Sequence, residues 1–308
     1  MGETTHISWC QHTWNPWIGC TKVSPACDGC YAEAMMDKRY GRVVWGAPGK
    51  GNGTRSRTSA SNWHEPYRWH KAAVAAGTRP FVFCASLADI FDNQVPTEWR
   101  ADAFKVMRDT PQLVYLLLTK RPQNIIKLVA EVGYLPINAA IGTTIEDQRR
   151  ADLNLPALAM AKACTPAAFS FVSCEPLLGP ITISADLMPD WVITGGETDQ
   201  GGHMARPTHP DWFRGLRDQC AAASVPFHHK QNGEWMQHEF RSNGSQKGER
   251  VVWPNARTDV GNANDGDGPG VDMDKIGKRR TGRLLDGVEH NGFPGALSES
   301  TPPDTTGR

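Results

Sequence analysis

Six short apolar runs recur between residues 81 and 231, and helical patterns separate most of them. The runs cover residues 81–84, 113–118, 139–142, 169–172, 191–194 and 227–230. The helical patterns cover residues 97–108, 122–132, 147–163 with an expected break at Pro156, and 210–223. Continuous apolar strands that alternate with helices form a parallel sheet covered on both faces. The sequence therefore predicts an α/β fold, a parallel β/α partial (open) barrel, with a doubly wound sheet as the alternative.

The two ends of the chain are expected to differ in structure. Residues 6–10 alternate like a short strand and would add a seventh strand to a β/α domain that occupies residues 1–253. Beyond this domain the chain is rich in Gly, Asp, Asn and small polar residues. We therefore predict that residues 254–308 form a largely disordered tail with a short basic segment at 275–287. No stretch of the sequence is long and apolar enough to cross a membrane.

Polar residues follow nearly every predicted strand. One polar strand end would indicate only a solvated loop, but six in succession are hard to explain by solvation. In parallel β/α folds the carboxyl ends of the strands share one edge, where active sites lie. The candidate catalytic residues at this edge are Lys120, Glu175 and Glu197. The candidate cofactor-binding residues are Asn15, Ser86, Ser173, Gly195 and Gly196.

Three cysteines near the N-terminus, Cys20, Cys27 and Cys30, have the spacing of a metal-binding loop. Iron–sulfur clusters are held by cysteine thiolates, and a cluster with only three of them leaves one iron for an outside ligand. Residues 31–40 have helical propensity, so the loop would end at a helix N-terminus, where backbone N–H groups can donate to sulfur. The three cysteines are therefore the candidate metal ligands of a [4Fe-4S] cluster.

Cysteines can also form a disulfide framework, hold a structural zinc ion or pack as small apolar residues. A secreted disulfide framework does not fit a chain of 308 residues with eight cysteines and no apolar leader. A structural zinc site remains a rival, because Cys10 could complete a set of four thiolates. The remaining cysteines lie in apolar surroundings and are expected to be buried: Cys84, Cys164, Cys174 and Cys220.

The motifs of the chain resemble those of a phage protein family named after gene products thirty-seven and sixty-eight. They are residues 13–20, the Cys-x6-Cys-x2-Cys-Tyr-Ala-Glu motif from Cys20, and residues 173–180, 195–197 and 205–207. The resemblance covers about residues 6–235 and 277–287. Members are regarded as relatives of radical S-adenosylmethionine enzymes, and their substrates are generally unassigned.

This resemblance implies a chemistry class. It implies a [4Fe-4S] cluster and S-adenosylmethionine as cofactors, an electron donor as partner, and cleavage of S-adenosylmethionine to a 5′-deoxyadenosyl radical. The chain departs from the superfamily in its cysteine spacing of six and two residues and in Gly29, which stands where an aromatic residue is usual. Its Gly-Gly-Glu motif at residues 195–197 follows a late strand, so the methionine-binding role of that motif is not assigned to Glu197.

The charge of the chain limits its partners. The charges of the 33 basic and 33 acidic side chains cancel. The chain as a whole therefore has no net positive charge that would attract nucleic acid or an anionic membrane. Residues 55–71 mix cations with Trp and Tyr and could bind nucleic acid; alternatively, the tryptophans cap the barrel. We expect an unidentified substrate, with a nucleobase, nucleotide or nucleic acid as the candidate, and a cytoplasmic location. The alternative function is a zinc- or cluster-stabilised nucleic-acid-binding module without turnover.

The three-thiolate interpretation predicts the outcome of a cysteine scan. After anaerobic reconstitution, Cys20→Ala, Cys27→Ala and Cys30→Ala should each lose the cluster, whereas Cys10→Ala should retain it. Iron and sulfide assays measure this. Zinc in place of iron, with equal loss in Cys10→Ala, would support the structural zinc site instead.

Overall fold

The computed structural model describes residues 5, 7–238, 250–259 and 270–295. The strands are β1 (His12–Thr13), β2 (Trp17–Ile18), β3 (Ser56–Arg57), β4 (Phe81–Cys84), β5 (Val114–Thr119), β6 (Ala139–Thr144), β7 (Ser170–Cys174), β8 (Val192–Gly195), β9 (Phe227–Gln231), β10 (Trp235–Gln237), β11 (Arg250–Val252), β12 (Thr258–Asp259) and β13 (Val271–Lys275). The helices are α1 (Tyr31–Glu33), which continues as a π-helix over Ala34–Arg39, α2 (Ala60–Ala76), α3 (Thr97–Asp109), α4 (Ile125–Val132), α5 (Gln148–Cys164), α6 (Pro210–Ala222) and α7 (Lys278–Thr281).

Seven parallel strands form one open sheet in the order β1-β4-β5-β6-β7-β8-β9. The predicted α/β class with a parallel sheet is confirmed, and six predicted strands are present. The first strand is an exception, because it lies at His12–Thr13 and not at residues 6–10. Gln11 N donates to Phe81 O at 3.0 Å and so starts the pairing with β4, whereas a turn closed by Cys10 N to Ile7 O, at 3.3 Å, precedes it.

Helix α5 continues through Pro156, where the sequence predicts a break. A proline inside a helix removes one backbone hydrogen bond and costs about 3 kcal/mol. Ala151, Leu155 and Leu158 on the same helix are buried in the main core. Burial on both sides of the proline offsets the lost hydrogen bond.

The sheet is curled into a half-barrel, as ring contacts across its inner face show. In a flat sheet, β4 and β8 would lie about 19 Å apart, since neighbouring strands are spaced by about 4.8 Å. The rings of Phe81 on β4 and Trp191, just before β8, have centroids only 5.7 Å apart. Near the two edges of the sheet, Ser8 Oγ and His228 Nε2 are 2.8 Å apart. The concave face therefore encloses its own aromatic cluster.

Successive residues of a strand pack in two different hydrophobic cores, one on each face of the sheet. Phe81, Leu116 and Phe171 belong to the inner cluster, whereas Val82 and Leu117 on the convex face pack in the core that includes the helices. Strands buried on both faces need apolar residues at successive positions. This requirement produces the continuous apolar runs in the sequence.

The described part of the C-terminal region packs against the half-barrel. Strand β13 lies between β10 and β11 in a four-stranded antiparallel sheet. Gly292 N donates to Phe227 O at 2.9 Å, and Phe293 lies 5.4 Å from the Trp191 ring. Order in residues 270–295 therefore extends beyond the short basic segment predicted at 275–287. Residues 260–269 and 296–308 of the predicted tail lie outside the described residues.

Helices of membrane-spanning length and apolar character are absent from the part of the chain that the structure describes.

The close packing of the inner face predicts the effect of adding a methyl group to it. A Cβ added at Gly142 would lie 2.4 Å from the Phe171 ring, so Gly142→Ala should lower the free energy of unfolding by about 1–3 kcal/mol. Chemical denaturation measures the loss. Gly215→Ala is the matched control: its Cβ meets nothing within 4 Å, and this helical site should gain about 0.5–1 kcal/mol. Equal stability of both variants would contradict the packing described.

Candidate metal centre and strand-end site

The three cysteines lie on one loop at the carboxyl edge of the sheet. Cys20 follows β2, Cys27 ends a single 3-10 turn, and Cys30 is the N-cap of α1. The loop joins the sheet where Gly19 N donates to Leu87 O at 3.1 Å, just past the end of β4. The cysteine loop is therefore held at the edge where polar strand ends were predicted.

Each cysteine sulfur lies near hydrogen-bond donors. Arg121 Nη1 donates to Cys20 Sγ at 3.5 Å, and Ser24 Oγ lies 3.9 Å from Cys27 Sγ. Backbone N–H groups of the first turn of α1 donate to the Cys30 sulfur. Burial raises the pKa of the free Cys20 thiol to about 12 and also raises the pKa of Cys30. These donors would stabilise the thiolate forms when a metal replaces the thiol protons.

Lys120 lies within electrostatic range of all three sulfurs. Burial lowers the pKa of its ammonium, but the negative charges of Cys27, Cys30 and other neighbours raise it, and the net pKa is above its usual value. One cation thus interacts electrostatically with cysteines from different parts of the loop. Such a set of donors fits an anionic iron–sulfur cluster.

The geometry does not assemble the four-thiolate alternative. Cys10 packs in the inner aromatic cluster, whereas Cys20 and Cys30 pack with Ile18 and Met36 in a separate one. Across the described ranges, no three His, Cys, Asp or Glu side chains are gathered around a position for a single metal ion. A structural zinc ion requires four ligands at about 2.0–2.3 Å from one centre.

Asp89 and Arg121 tie the first cysteine to two strand ends. Asp89 Oδ2 accepts hydrogen bonds from Thr119 Oγ1 at 3.0 Å and from Arg121 Nη1 at 2.8 Å. The second arm of Arg121 donates to Thr21 O at 2.6 Å, next to Cys20. Because the ion pair is largely buried, it fixes this end of the loop. Asp89 and Arg121 follow strands β4 and β5, but their sequence positions alone predicted no role for either.

Glu146 and Arg150 hold the middle of the loop. Glu146 Oε1 accepts from Ala26 N at 3.3 Å, and Arg150 Nη2 donates to Val23 O at 2.9 Å. Glu146 follows β6, and Arg150 lies in the first turn of α5. Side chains from the centre of the sheet therefore reach the segment between Cys20 and Cys27.

Glu197 supports the far side of the loop through Arg206. Arg206 Nη2 lies 2.6 Å from Glu197 Oε1 and Arg206 Nε lies 2.8 Å from Oε2. The same guanidinium donates to Pro25 O at 2.9 Å and to Asp28 Oδ2 at 3.3 Å. Burial raises the pKa of Glu197, but the hydrogen bonds from Arg206 lower it, and the net pKa is below its usual value. Glu197 is therefore an anion engaged by Arg206.

Close packing explains three glycines of the motifs. A Cβ at Gly29 would lie 2.6 Å from His203 Cδ2, so a larger residue at this position would displace the His203 ring. A Cβ at Gly196 would lie 2.0 Å from Asn232 O. At Gly195 it would lie 3.1 Å from the Glu175 carboxylate carbon. The predicted cofactor-binding role of Gly195 and Gly196 stays a prediction, but their packing requirement is explicit.

A polar layer covers the inner aromatic cluster at the carboxyl edge. It consists of Lys120, Thr144, Ser173, Glu175, Gly195 and Lys230. Thr144 and Ser173 are register partners on β6 and β7. Lys230 Nζ lies 2.6 Å from Glu175 Oε1, and the buried Thr144 hydroxyl has no hydrogen-bond partner among the described residues. An unpaired buried hydroxyl costs free energy, so it fits a site that a polar ligand completes.

The other two predicted site residues anchor the start of the loop. Asn15 is buried, and its Oδ1 accepts from Leu87 N at 2.7 Å while its Nδ2 donates to Ser86 Oγ at 3.0 Å. These contacts join β1 to the segment after β4. Their cofactor-binding role stays a prediction. Lys230 is not among the site residues predicted from the sequence, because its contact with Glu175 depends on the curl of the sheet.

The aromatic residues of segment 55–71 contribute to packing. Trp69 is buried and stacks on His12 with centroids 4.4 Å apart. Arg55 forms a buried ion pair with Asp92, and the Arg57 guanidinium lies 4.0 Å above the Trp63 ring. The segment therefore follows the alternative in which its tryptophans cap the barrel, and Arg55 is unavailable to a phosphate.

A family model described as "Protein of unknown function (DUF5131)" matches residues 4–294. No curated protein matches the chain. Two solved structures of spore photoproduct lyase have TM-scores of 0.40. One is a double mutant with bound AdoMet and dinucleoside spore photoproduct, at 12% identity over 74% of this chain and 57% of that chain. The other is a single mutant, at 11% identity over 79% and 70%. The chain thus spans a little over half the length of the first lyase.

The Arg206 contacts predict the accessibility of the cysteine loop. Arg206→Ala should let the loop open more often, so Cys27 and Cys30 of the reduced, metal-free protein should react with iodoacetamide about tenfold faster, equivalent to about 1.4 kcal/mol of local stability. Mass spectrometry after timed quenching measures each rate. Arg214→Ala is the control, since Arg214 pairs with Asp211 and Asp286 away from the loop. Unchanged rates in Arg206→Ala would show that Arg206 does not secure the loop.

Proposed function

We propose that this chain, which belongs to the DUF5131 family of proteins of unknown function, is a radical S-adenosylmethionine-like [4Fe-4S] enzyme that modifies a nucleobase or nucleic acid. The observation that carries the proposal is that Cys20, Cys27 and Cys30 lie on one loop, which Arg121, Glu146 and Arg206 hold at the carboxyl edge of a parallel half-barrel. The family carries no assigned activity, so the proposal rests on the residues of this chain.

Three thiolates would hold the cluster and the loop would keep them in place. A cluster held by Cys20, Cys27 and Cys30 would leave one iron for an outside ligand and, once reduced by an electron donor, would supply the chemistry for reductive cleavage of S-adenosylmethionine. The chain secures this loop through three charged side chains that act as positioning residues: Arg121, Glu146 and Arg206. Glu197 acts through Arg206 and is a positioning residue in this proposal.

The polar layer would bind S-adenosylmethionine. The Lys120 ammonium lies beside the sulfurs and would donate hydrogen bonds to the methionine carboxylate. Glu175, which is partly exposed beside Lys230, would accept from the methionine amino group or from a ribose hydroxyl. The small side chain of Ser173 on this face would leave space for the ligand, and the absence of a side chain at Gly195 leaves room for Glu175. Lys120 and Glu175 are therefore the proposed cofactor-contacting residues.

The surroundings of the site agree with this chemistry. The inner aromatic cluster seals the half-barrel beneath the polar layer, which excludes water from the side away from the loop. The proposed cluster needs an electron donor and a reducing compartment, so we place the protein in the cytoplasm.

The proposal predicts slow release of 5′-deoxyadenosine from S-adenosylmethionine. Reconstituted protein incubated with dithionite should form it even without substrate, and chromatography measures it. Cys27→Ala should reduce it to background because a ligand is lost. Cys164→Ala is the matched thiol control and should retain wild-type activity. The burial predicted for Cys164 is wrong, because the residue lies on the exposed face of α5. Lys120→Met should lower the yield at least about tenfold if one charge-assisted contact of about 1.5–3 kcal/mol is lost.

A different result would point to another role. If a fully loaded cluster yields no deoxyadenosine and its electron paramagnetic resonance spectrum does not change on addition of S-adenosylmethionine, the protein has a redox or binding role instead.

A further inference from the structure

One exposed aromatic and basic surface begins directly after Cys30. We call it the tyrosine patch; its members are Tyr31, Lys38, Arg39, Tyr40 and Arg42. Tyr31 and Tyr40 are 49% and 51% exposed, unlike the buried Trp69 of segment 55–71. The guanidinium carbons of Arg39 and Arg42 lie 5.4 and 5.7 Å from the Tyr40 ring centroid. The patch therefore displays aromatic faces among cations.

A second basic surface lies on α7. We call it the basic turn; its members are Lys278, Arg279 and Arg280, and all three are exposed. Within residues 5–238, 250–259 and 270–295 that are described, none of the three has a carboxylate within ion-pair distance. The backbone of the turn is held rigidly, because Lys278 N donates to Glu234 Oε2 at 3.0 Å and Thr281 Oγ1 donates to Gly233 O at 2.6 Å.

The tyrosine patch and the basic turn border the same edge of the half-barrel. Gly201 packs so closely on the π-helix that an added Cβ would lie 2.8 Å from Ala34 Cβ. From the same loop, Asp199 N donates to Glu234 Oε1 at 3.3 Å, and Glu234 also anchors the basic turn. The loop of residues 198–203 therefore connects the two surfaces. The cysteine loop and the polar layer lie at this edge.

The basic turn also adjoins the proposed site. Asn232 N, directly after β9, donates to Gly282 O, directly after α7, at 3.0 Å. Burial and then the charge of Lys230 on β9 lower the pKa of Lys278 below its usual value. Lys230 and Glu175 belong to the polar layer. A ligand bound along the basic turn would thus lie next to the residues proposed to contact the cofactor.

Lys38 lies 4.0 Å from the Glu33 carboxylate, but the other cations of the two surfaces have no ion-pair partner among the described residues, whereas comparable ones elsewhere do. On α6, Arg214 and Arg217 both pair with Asp286 at 2.7 Å. On α3, Lys105 pairs with Asp109. Because the chain has no net charge, a concentration of unpaired cations at one edge creates a local positive field. Such a field needs an anionic partner.

We propose that a single-stranded nucleic acid binds across the tyrosine patch and the basic turn and presents a base to the polar layer. Proteins that bind single strands combine cations for phosphates with aromatic side chains on which bases stack. Both are present here on one continuous edge. Enzymes that act on a base need it outside a duplex, which agrees with a strand and not a duplex as the ligand. As a substrate assignment the inference rests on the proposed function, but binding itself does not require a cluster.

Fluorescence anisotropy with a fluorescein-labelled 20-nucleotide single strand of mixed sequence tests the proposal. The double variants Arg39→Ser/Arg42→Ser and Arg279→Ser/Arg280→Ser should each weaken binding at least about tenfold near 0.1 M salt. Each should also lower the slope of log K against log salt by about 1.4, because each lost phosphate contact removes about 0.7.

Matched variants separate stacking and general charge effects. Tyr40→Ala should weaken binding about fivefold by loss of stacking, and Tyr40→Phe should restore it. Lys105→Ser/Lys127→Ser removes two exposed cations from the outer helices and should leave affinity unchanged. An equal loss in this control, tighter binding of a duplex of the same sequence, or no binding of the single strand to the wild-type protein would each overturn the proposal.

The two proposals can fail separately. Strand binding that depends on both surfaces, without deoxyadenosine formation, would retain the interaction surface and reject the radical chemistry. Deoxyadenosine formation without strand binding would retain the chemistry and reject nucleic acid as the ligand.

Discussion

The charged contacts between strand ends and the cysteine loop determine what the rest of the structure can do. A loop without regular secondary structure around three cysteines has no ladder of its own to fix it. Arg121, Glu146 and Arg206 supply that constraint from three separate places on the sheet edge. Buried ion pairs are costly unless their hydrogen bonds are complete, so these residues fit a requirement for position more than for stability. The half-barrel is the frame that brings them to one loop.

Curling of the sheet connects the two functional proposals. A flat parallel sheet would leave Lys120 on β5 and Lys230 on β9 far apart, whereas the curled sheet faces their side chains toward one interior. The same curvature allows the aromatic residues beneath them to close the lower half of the interior. The polar layer thus has an apolar floor, which strengthens every charge interaction above it.

The sheet could be predicted from the sequence because each strand is recognisable from a short apolar run of its own. Strands such as β5 and β7 are buried on both faces and appear as continuous apolar runs. The supports of the loop were harder to predict, since Arg206 and Pro25 are far apart in sequence and only the fold brings them together. Strand β13 was missed for a related reason: its alternating Val-Asp-Met-Asp-Lys sequence has only one buried side chain, and its order depends on β10 and β11. The tryptophans of segment 55–71 could serve binding or packing by composition, and only their burial decides.

The closed aromatic base of the half-barrel has a consequence for the order of events. Trp9, Phe171, Trp191 and neighbouring rings fill the interior, and Phe293 packs on them from the C-terminal region. Because these rings close the concave face from below, the proposed cofactor would reach the polar layer from the carboxyl edge of the sheet. The proposed nucleic acid would lie across that same edge. In the proposed function the small cofactor would therefore bind before the strand, and its products would leave after the strand has withdrawn.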